Sequence, residues 1–213
     1  MASAMPVIIR NRGICDYQEV WDEMIEFTRN RGPDTNDEIW LLQHCPVYTQ
    51  GASSYEHPEA GAKTNGKAIP VIHADRGGQI TYHGPGQLIA YLLMDIKRLK
   101  TGPKSLVNQV EKLIMDFLDR YGICGHRKPG APGVYVADEK IAALGLRISR
   151  GCCYHGLSIN IDMDLSPYEW INPCGYVGLR VTQLKYHAKN ISFDQVNREF
   201  AEILPGLSLY STD

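Results

Sequence analysis

Apolar residues recur along this chain at two periods, and the changes of period mark its elements. Tyr17, Val20, Trp21, Met24, Ile25 and Thr28 share one face at helical spacing, Asp16 and Glu19 form a capping-box pair ahead of them, and Gly32-Pro33 ends the run. Ser105 reads as the N-cap of a second helix carrying Leu106, Val110, Leu113, Ile114, Phe117 and Leu118, which Gly122 stops. Ser192 caps a last helix, with Gln195 in capping-box position, Phe193, Val196, Phe200 and Ile203 turned inward, and Pro205 at its end. Residues 38–43, 69–73 and 88–96 are short runs of strand length; 134–137, 140–148 and 155–161 follow as further strands, the last alternating apolar with polar or small. Asp138-Glu139 predicts a hairpin-like corner, and these later strands are expected to lie side by side and antiparallel. Residues 44–51 read as a polar, turn-rich edge. Residues 53–67, without a packing period, read as a loop near the site.

Composition narrows the classes. A chain of 213 residues without a composition break is expected to form a single domain, 1–213. With a net charge of -2 there is no global basic field for nucleic acid or an anionic membrane, so an acidic partner has to meet a local patch. No run reaches the apolar length of a membrane span, and the first thirteen residues lack the apolar core and cleavage site of a signal peptide; the expected setting is the cytoplasm. The six cysteines then read as reduced thiols. None forms a C-x-x-C pair and the histidines show no H-x-x-x-H spacing, so no metal is expected.

Two stretches carry unusual chemistry. Residues 76–87 place four glycines among Arg76, Gln79, Thr81, Tyr82, His83 and Gln87, leaving bare backbone that can approach a ligand, yet the segment matches neither the phosphate loop nor the dinucleotide fingerprint. In Asn172-Pro173-Cys174-Gly175, proline and glycine hold a sharp turn that presents one thiol. A cysteine attacks as its thiolate, a minor species at the reference value of about 8.5, so it needs a cation or base nearby. Lys140 and His155, each at the start of an expected strand, are the candidates. One ammonium about 4 Å away at an effective dielectric near 20 is worth roughly 4 kcal/mol before desolvation. By default, however, a strand-end lysine is a solvated charge and a strand histidine a satisfied core group.

Taken together and in order, residues 76–87, Pro132-Gly133-Val134-Tyr135, Lys140-Ile141-Ala142-Ala143-Leu144-Gly145, His155-Gly156-Leu157 and Asn172-Pro173-Cys174-Gly175 resemble the lipoyl(octanoyl) transferases, over a span from about His44 to Tyr176. The resemblance implies an α+β fold, a mixed β-sheet backed by helices like the catalytic domain of biotin and lipoate ligases, with which the order of strands and helices is compatible. It implies an ATP-independent enzyme with no cofactor. An octanoyl group would move from acyl carrier protein to a lysine on the lipoyl domains of 2-oxoacid dehydrogenases and on the glycine cleavage H protein. Cys174 would carry it as a thioester, with Lys140 promoting the thiolate and shuttling the proton. Arg76, Gly77, Gly78, Gln79, Ile80, Thr81, Tyr82 and His83, with Ala143, Leu144, Gly145, Gly156, Leu157 and Ser158, would line the acyl site, and backbone N–H groups there would meet the oxyanion. The rivals are an ATP-dependent ligase, a Cys-His hydrolase and a non-catalytic acyl-binding protein. Arg147 and Arg150 are the expected contacts for the acidic carrier.

Overall fold

The computed structural model describes residues 5–54, 63–64 and 66–206. In chain order the elements are β1 (Ile8–Cys15), α1 (Tyr17–Asn30), β2 (Glu38–His44), β3 (Val47–Gln50), β4 (Lys63–Thr64), β5 (Lys67–Ala68), β6 (Val71–His73), β7 (Ile80–His83) and β8 (Gln87–Asp95), followed by α2 (Pro103–Asp119), β9 (His126–Lys128), β10 (Ala131–Val136), β11 (Glu139–Ser149), β12 (Cys152–Asn160), α3 (Leu184–His187) and α4 (Phe193–Ile203). Seven strands form the main sheet in the order β1-β2-β8-β12-β11-β10-β9, and β6-β3-β7 form a smaller one. The main sheet is mixed: β1 runs parallel to β2, whereas β8, β12, β11, β10 and β9 pair antiparallel in turn.

Alternation along the central strands explains why helices cover both faces. On one side Ile39, Leu41, Leu88, Ala90, Leu92 and Met94 pack with Leu106, Val110, Ile114 and Phe117 of α2 and Val196 and Phe200 of α4. On the other, Trp40, Leu42, Ile89, Tyr91 and Leu93 pack with Val20 and Met24 of α1. The two periods read from the sequence therefore meet in two cores divided by one sheet. Among the described residues no helix is long and apolar enough to cross a membrane.

Several local expectations are corrected. Asp16 and Ser192 do cap α1 and α4, but the Gln195 side chain bonds to Glu199 rather than completing a capping box. Ser105 caps nothing: α2 begins two residues earlier with Pro103, whose fixed φ suits a first helical position, and Gly102 is its N-cap. The stretch 44–51 contains β3, and β1, β7 and β9 are strands outside the runs expected from the sequence. Cys152 and Cys153 lie inside β12 rather than ahead of it, with Cys153 fully buried. The hairpin corner falls one residue early, where Ala137 takes φ 50°. Of the loop expected at 53–67, residues 55–62 and 65 lie outside the described residues; β4 and β5 pair at its end.

Candidate active site

Cys174 sits at the centre of a one-turn helix, Pro173–Gly175, with φ 58° and ψ 18°. That left-handed conformation is uncommon for a residue with a Cβ, and such strain concentrates at functional positions. The turn is pinned from several sides. Gly175 N–H donates to Asn172 at 2.8 Å, and a Cβ on Gly175 would lie 2.2 Å from Gln79 Oε1, so the Gln79 side chain fills the space a substituent would need. Downstream, Lys140 N–H donates to the Arg180 carbonyl at 2.9 Å and Thr182 N–H to the Lys140 carbonyl at 3.0 Å. The segment carrying the thiol is thereby strapped across the first residues of β11.

That strap buries Lys140, which is only 3 % exposed. The expectation of a solvated strand-end lysine is overturned, because Tyr135 and the segment after Cys174 close over it. Its Nζ donates to Cys174 Sγ at 3.1 Å and to the Pro132 carbonyl at 3.0 Å, and stands 5.2 Å from the Tyr135 ring centroid. Gly133 makes room for this chain: a Cβ there would lie 3.1 Å from Lys140 Cε. Burial alone would lower the Lys140 ammonium, but the Cys174 sulfur and the Tyr135 hydroxyl outweigh it and push the group above its ordinary range. Lys140 is therefore a resident cation against the thiol.

From Cys174 a narrow cleft runs between β7 and the paired strands β11 and β12. Of the expected acyl-site residues, Arg76, Gly78, Gln79, Thr81 and His83 line it from one wall, and Ala143, Leu144, Gly145, Gly156, Leu157 and Ser158 from the other. Gly145 and Gly156 are cross-strand partners. Ile80 and Tyr82 are exceptions: strand alternation turns them to the opposite face of β7, where Tyr82 packs with Tyr48 and Tyr168. Gly77 does not line the cleft either; its N–H donates to the Leu146 carbonyl at 3.0 Å and its backbone backs Gly145.

Arg76 holds this wall together. Its guanidinium donates to the Thr49 hydroxyl and to the Thr49, Gly77 and Gln79 carbonyls at 2.5–3.0 Å. The Thr49 hydroxyl in turn meets His83 Nε2 at 3.2 Å, and His83 Nδ1 meets Gln87 Oε1 at 2.7 Å. Because the Gln87 oxygen only accepts, the His83 proton sits on Nδ1. Burial, with His44 and Arg76 nearby, pushes His83 well down, so it is a neutral linker in this chain of bonds.

His155 is not the partner of Cys174. Its Nε2 meets Asp75 Oδ1 at 2.8 Å, and Asp75 also accepts from Trp21 at 2.9 Å and from the Tyr154 hydroxyl. Burial alone would raise the Asp75 carboxyl, but the bonds from His155 and Tyr154 bring it down to about 2; burial lowers His155 despite that carboxylate. Arg147 and Arg150 lie toward the far end of β11 from Lys140, with Arg147 seven residues along, roughly 23 Å at a strand rise of ~3.3 Å. The cation next to the strap is Arg180, 72 % exposed at its side chain and 3.4 Å from Glu139. Tyr17 and Tyr91, which also line the cleft, were read from the sequence as packing residues only. Nothing in their spacing separates them from the other aromatic residues of the core.

A thiol on a strained turn, a buried ammonium in contact with it and a narrow cleft leading away define a cysteine acyltransferase on a mixed-sheet scaffold. The family known as the lipoyl protein ligase A/B catalytic domain matches residues 16–204, and the chain belongs to it, on its octanoyltransferase branch. The octanoyltransferase of Legionella pneumophila (strain Lens) is 47% identical over 197 residues, 92% of this chain and 96% of that protein. That of Hahella chejuensis is 52% identical over 191 residues, 89% of this chain and 83% of that one. Among solved structures, a lipoate-protein ligase A bound with ATP shares the fold with a TM-score of 0.72 at 12% identity, over 95% of this chain and 85% of that one. Biotin protein ligase from Aquifex aeolicus does so with a TM-score of 0.53 at 13% identity, over 95% of this chain and 68% of that one.

Proposed function

We propose that the chain, as one catalytic domain over residues 1–213, takes an octanoyl group from acyl carrier protein and passes it to a lysine on the lipoyl domains of 2-oxoacid dehydrogenases and on the glycine cleavage H protein. The observation that carries the mechanism is the 3.1 Å contact between Lys140 Nζ and Cys174 Sγ. Sγ reacts as the thiolate, with the Lys140 ammonium standing against it. Sγ attacks the carrier's thioester carbonyl, a new C–S bond forms as the old one breaks, and the departing thiolate takes a proton from Lys140. The octanoyl group is then held on Cys174 as a thioester, an exchange of like for like. The acceptor amine attacks next, the C–N bond forms as the C–Sγ bond breaks, and the proton shed by the amine returns to Lys140. Atoms and charges balance without ATP.

The acyl chain is placed in the cleft between β7 and the β11–β12 pair, where glycines leave room beside the strands. A reducing compartment, the cytoplasm, is the proposed setting, because the thiol must stay free to react. The test is intact-mass analysis after mixing the protein with octanoyl-acyl carrier protein in the absence of nucleotide. A mass gain of one octanoyl group, discharged by an unmodified lipoyl domain, supports the reading. No gain without ATP rejects it.

A further inference from the structure

The inner end of the acyl cleft is polar, which an octanoyl chain does not explain. Tyr17 is 2 % exposed and His155 1 % exposed, both line the cleft, and neither the Tyr17 hydroxyl nor His155 Nδ1 has a hydrogen-bond partner among the described residues. Buried polar atoms without partners are rare and destabilising, so two in one cleft point to a missing ligand group. His155 also sits in β12 with φ 57°, a strained setting for a residue with a side chain. Its Nε2–H is held by the Asp75 carboxylate, which leaves Nδ1 as a bare acceptor. Tyr17, whose hydroxyl burial keeps protonated, is a bare donor. A hydroxyl, of a water or of a ligand, can donate to the one and accept from the other. Ser158 shares with Cys174 and Lys140 the lining of a smaller adjoining space, and His155 lies three residues back along β12, roughly 10 Å at a rise of ~3.3 Å.

We propose that Tyr17 and His155 form a hydroxyl-binding subsite at the end of the acyl cleft, and that this subsite sets acyl-chain length. The hydroxylic partner is either a retained water or the terminal hydroxyl of a bound acyl chain. A methyl terminus that stops short leaves the water in place. One carbon more expels it and strands both polar atoms. This rests on the acyl-transfer reading above.

The test compares octanoyl, nonanoyl and 8-hydroxyoctanoyl carrier thioesters as donors for the full-length protein, the last two being matched in shape. Nonanoyl is expected to be about tenfold poorer than octanoyl in kcat/KM, as for stranding a buried polar group. Tyr17→Phe, which removes one of the two polar atoms that nonanoyl strands, should narrow the gap to about threefold on the same ground. If 8-hydroxyoctanoyl matches octanoyl in the natural protein, the chain's own hydroxyl takes the place of the water; if it is as poor as nonanoyl, the subsite does not bind a hydroxyl and the proposal falls. A nonanoyl-to-octanoyl ratio that is near one in the natural protein, or unchanged in Tyr17→Phe, overturns the proposal. Loss of octanoyl transfer itself by the natural protein would instead reject the acyl-transfer reading.

Discussion

Lys140 and Cys174, thirty-four positions apart in the chain, meet because the segment around Val181 bridges back to the start of β11. Since Lys140 is buried, Lys140→Ala would leave a cavity as well as remove a charge, and Lys140→Met is the cleaner variant. Its expected effect is a loss of transfer of about 10²-fold or more, the scale of a positioned acid–base group. Transfer unchanged in that variant would show that Lys140 takes no part in the proton transfers. Cys174→Ser should give no acyl adduct, while Cys153, whose thiol burial pushes up to about 12, should carry none in the natural protein. Peptide mapping at mildly acidic pH reads both. Asp75 offers a separate test. Its folded value of about 2 lies below the ordinary 3.8, so the stability it contributes is present above about pH 4 and lost as pH falls toward 2. Urea midpoints should therefore fall less steeply across that window in Asp75→Asn than in the natural protein. At this scale the motif residues were legible, because proline, glycine and cysteine announce a turn. The burial of Lys140 and the engagement of His155 by Asp75 were not, since both depend on side chains from other elements.

Among the elements, the β11–β12 pair determines whether a cleft exists. A Cβ on Gly156 would lie 2.0 Å from the Ala90 carbonyl of the neighbouring β8, so the ladder beneath the cleft closes only around hydrogen. Gly156→Ala is expected to destabilise the fold by about 1–3 kcal/mol through overpacking, measurable as a lower urea midpoint at unchanged slope. A midpoint equal to that of the natural protein would mean that β8 and β12 separate freely. The helices were readable because each carries a long apolar stripe at one period and a terminal signal. Their exact starts were less so, as Pro103 displaced Ser105 from the cap. Short strands escaped notice for different reasons. β7 is embedded in glycines that look like a turn, β9 has three polar residues, and β1 is an edge strand that, among the described residues, pairs with β2 alone, so its pattern is diluted.

For the whole molecule, the sheet order puts β8 and β12 at the centre, joining positions far apart in sequence, and no periodicity contains that information. The family resemblance supplied what the pattern did not. Charge is the other property that belongs to this scale. The net charge of -2 offers no general attraction to an acidic carrier, so productive encounter has to depend on a local cation close to the thiol. Arg147 and Arg150 are displaced toward the opposite end of β11 from Lys140. Arg180 has the better position, since its carbonyl receives the Lys140 N–H while its exposed guanidinium meets Glu139 at 3.4 Å and also acts on Asp138. Exposed pairs are screened over about 10 Å at 0.1 M salt and hold their partners weakly, which leaves this guanidinium available to a stronger anion. KM for the carrier should accordingly rise several-fold between ~0.05 and ~0.5 M salt, and Arg180→Glu should raise it at low salt while leaving kcat within about twofold. A KM indifferent to salt would exclude electrostatic docking altogether; a salt-dependent KM unaffected by Arg180→Glu would move the docking patch elsewhere on the surface.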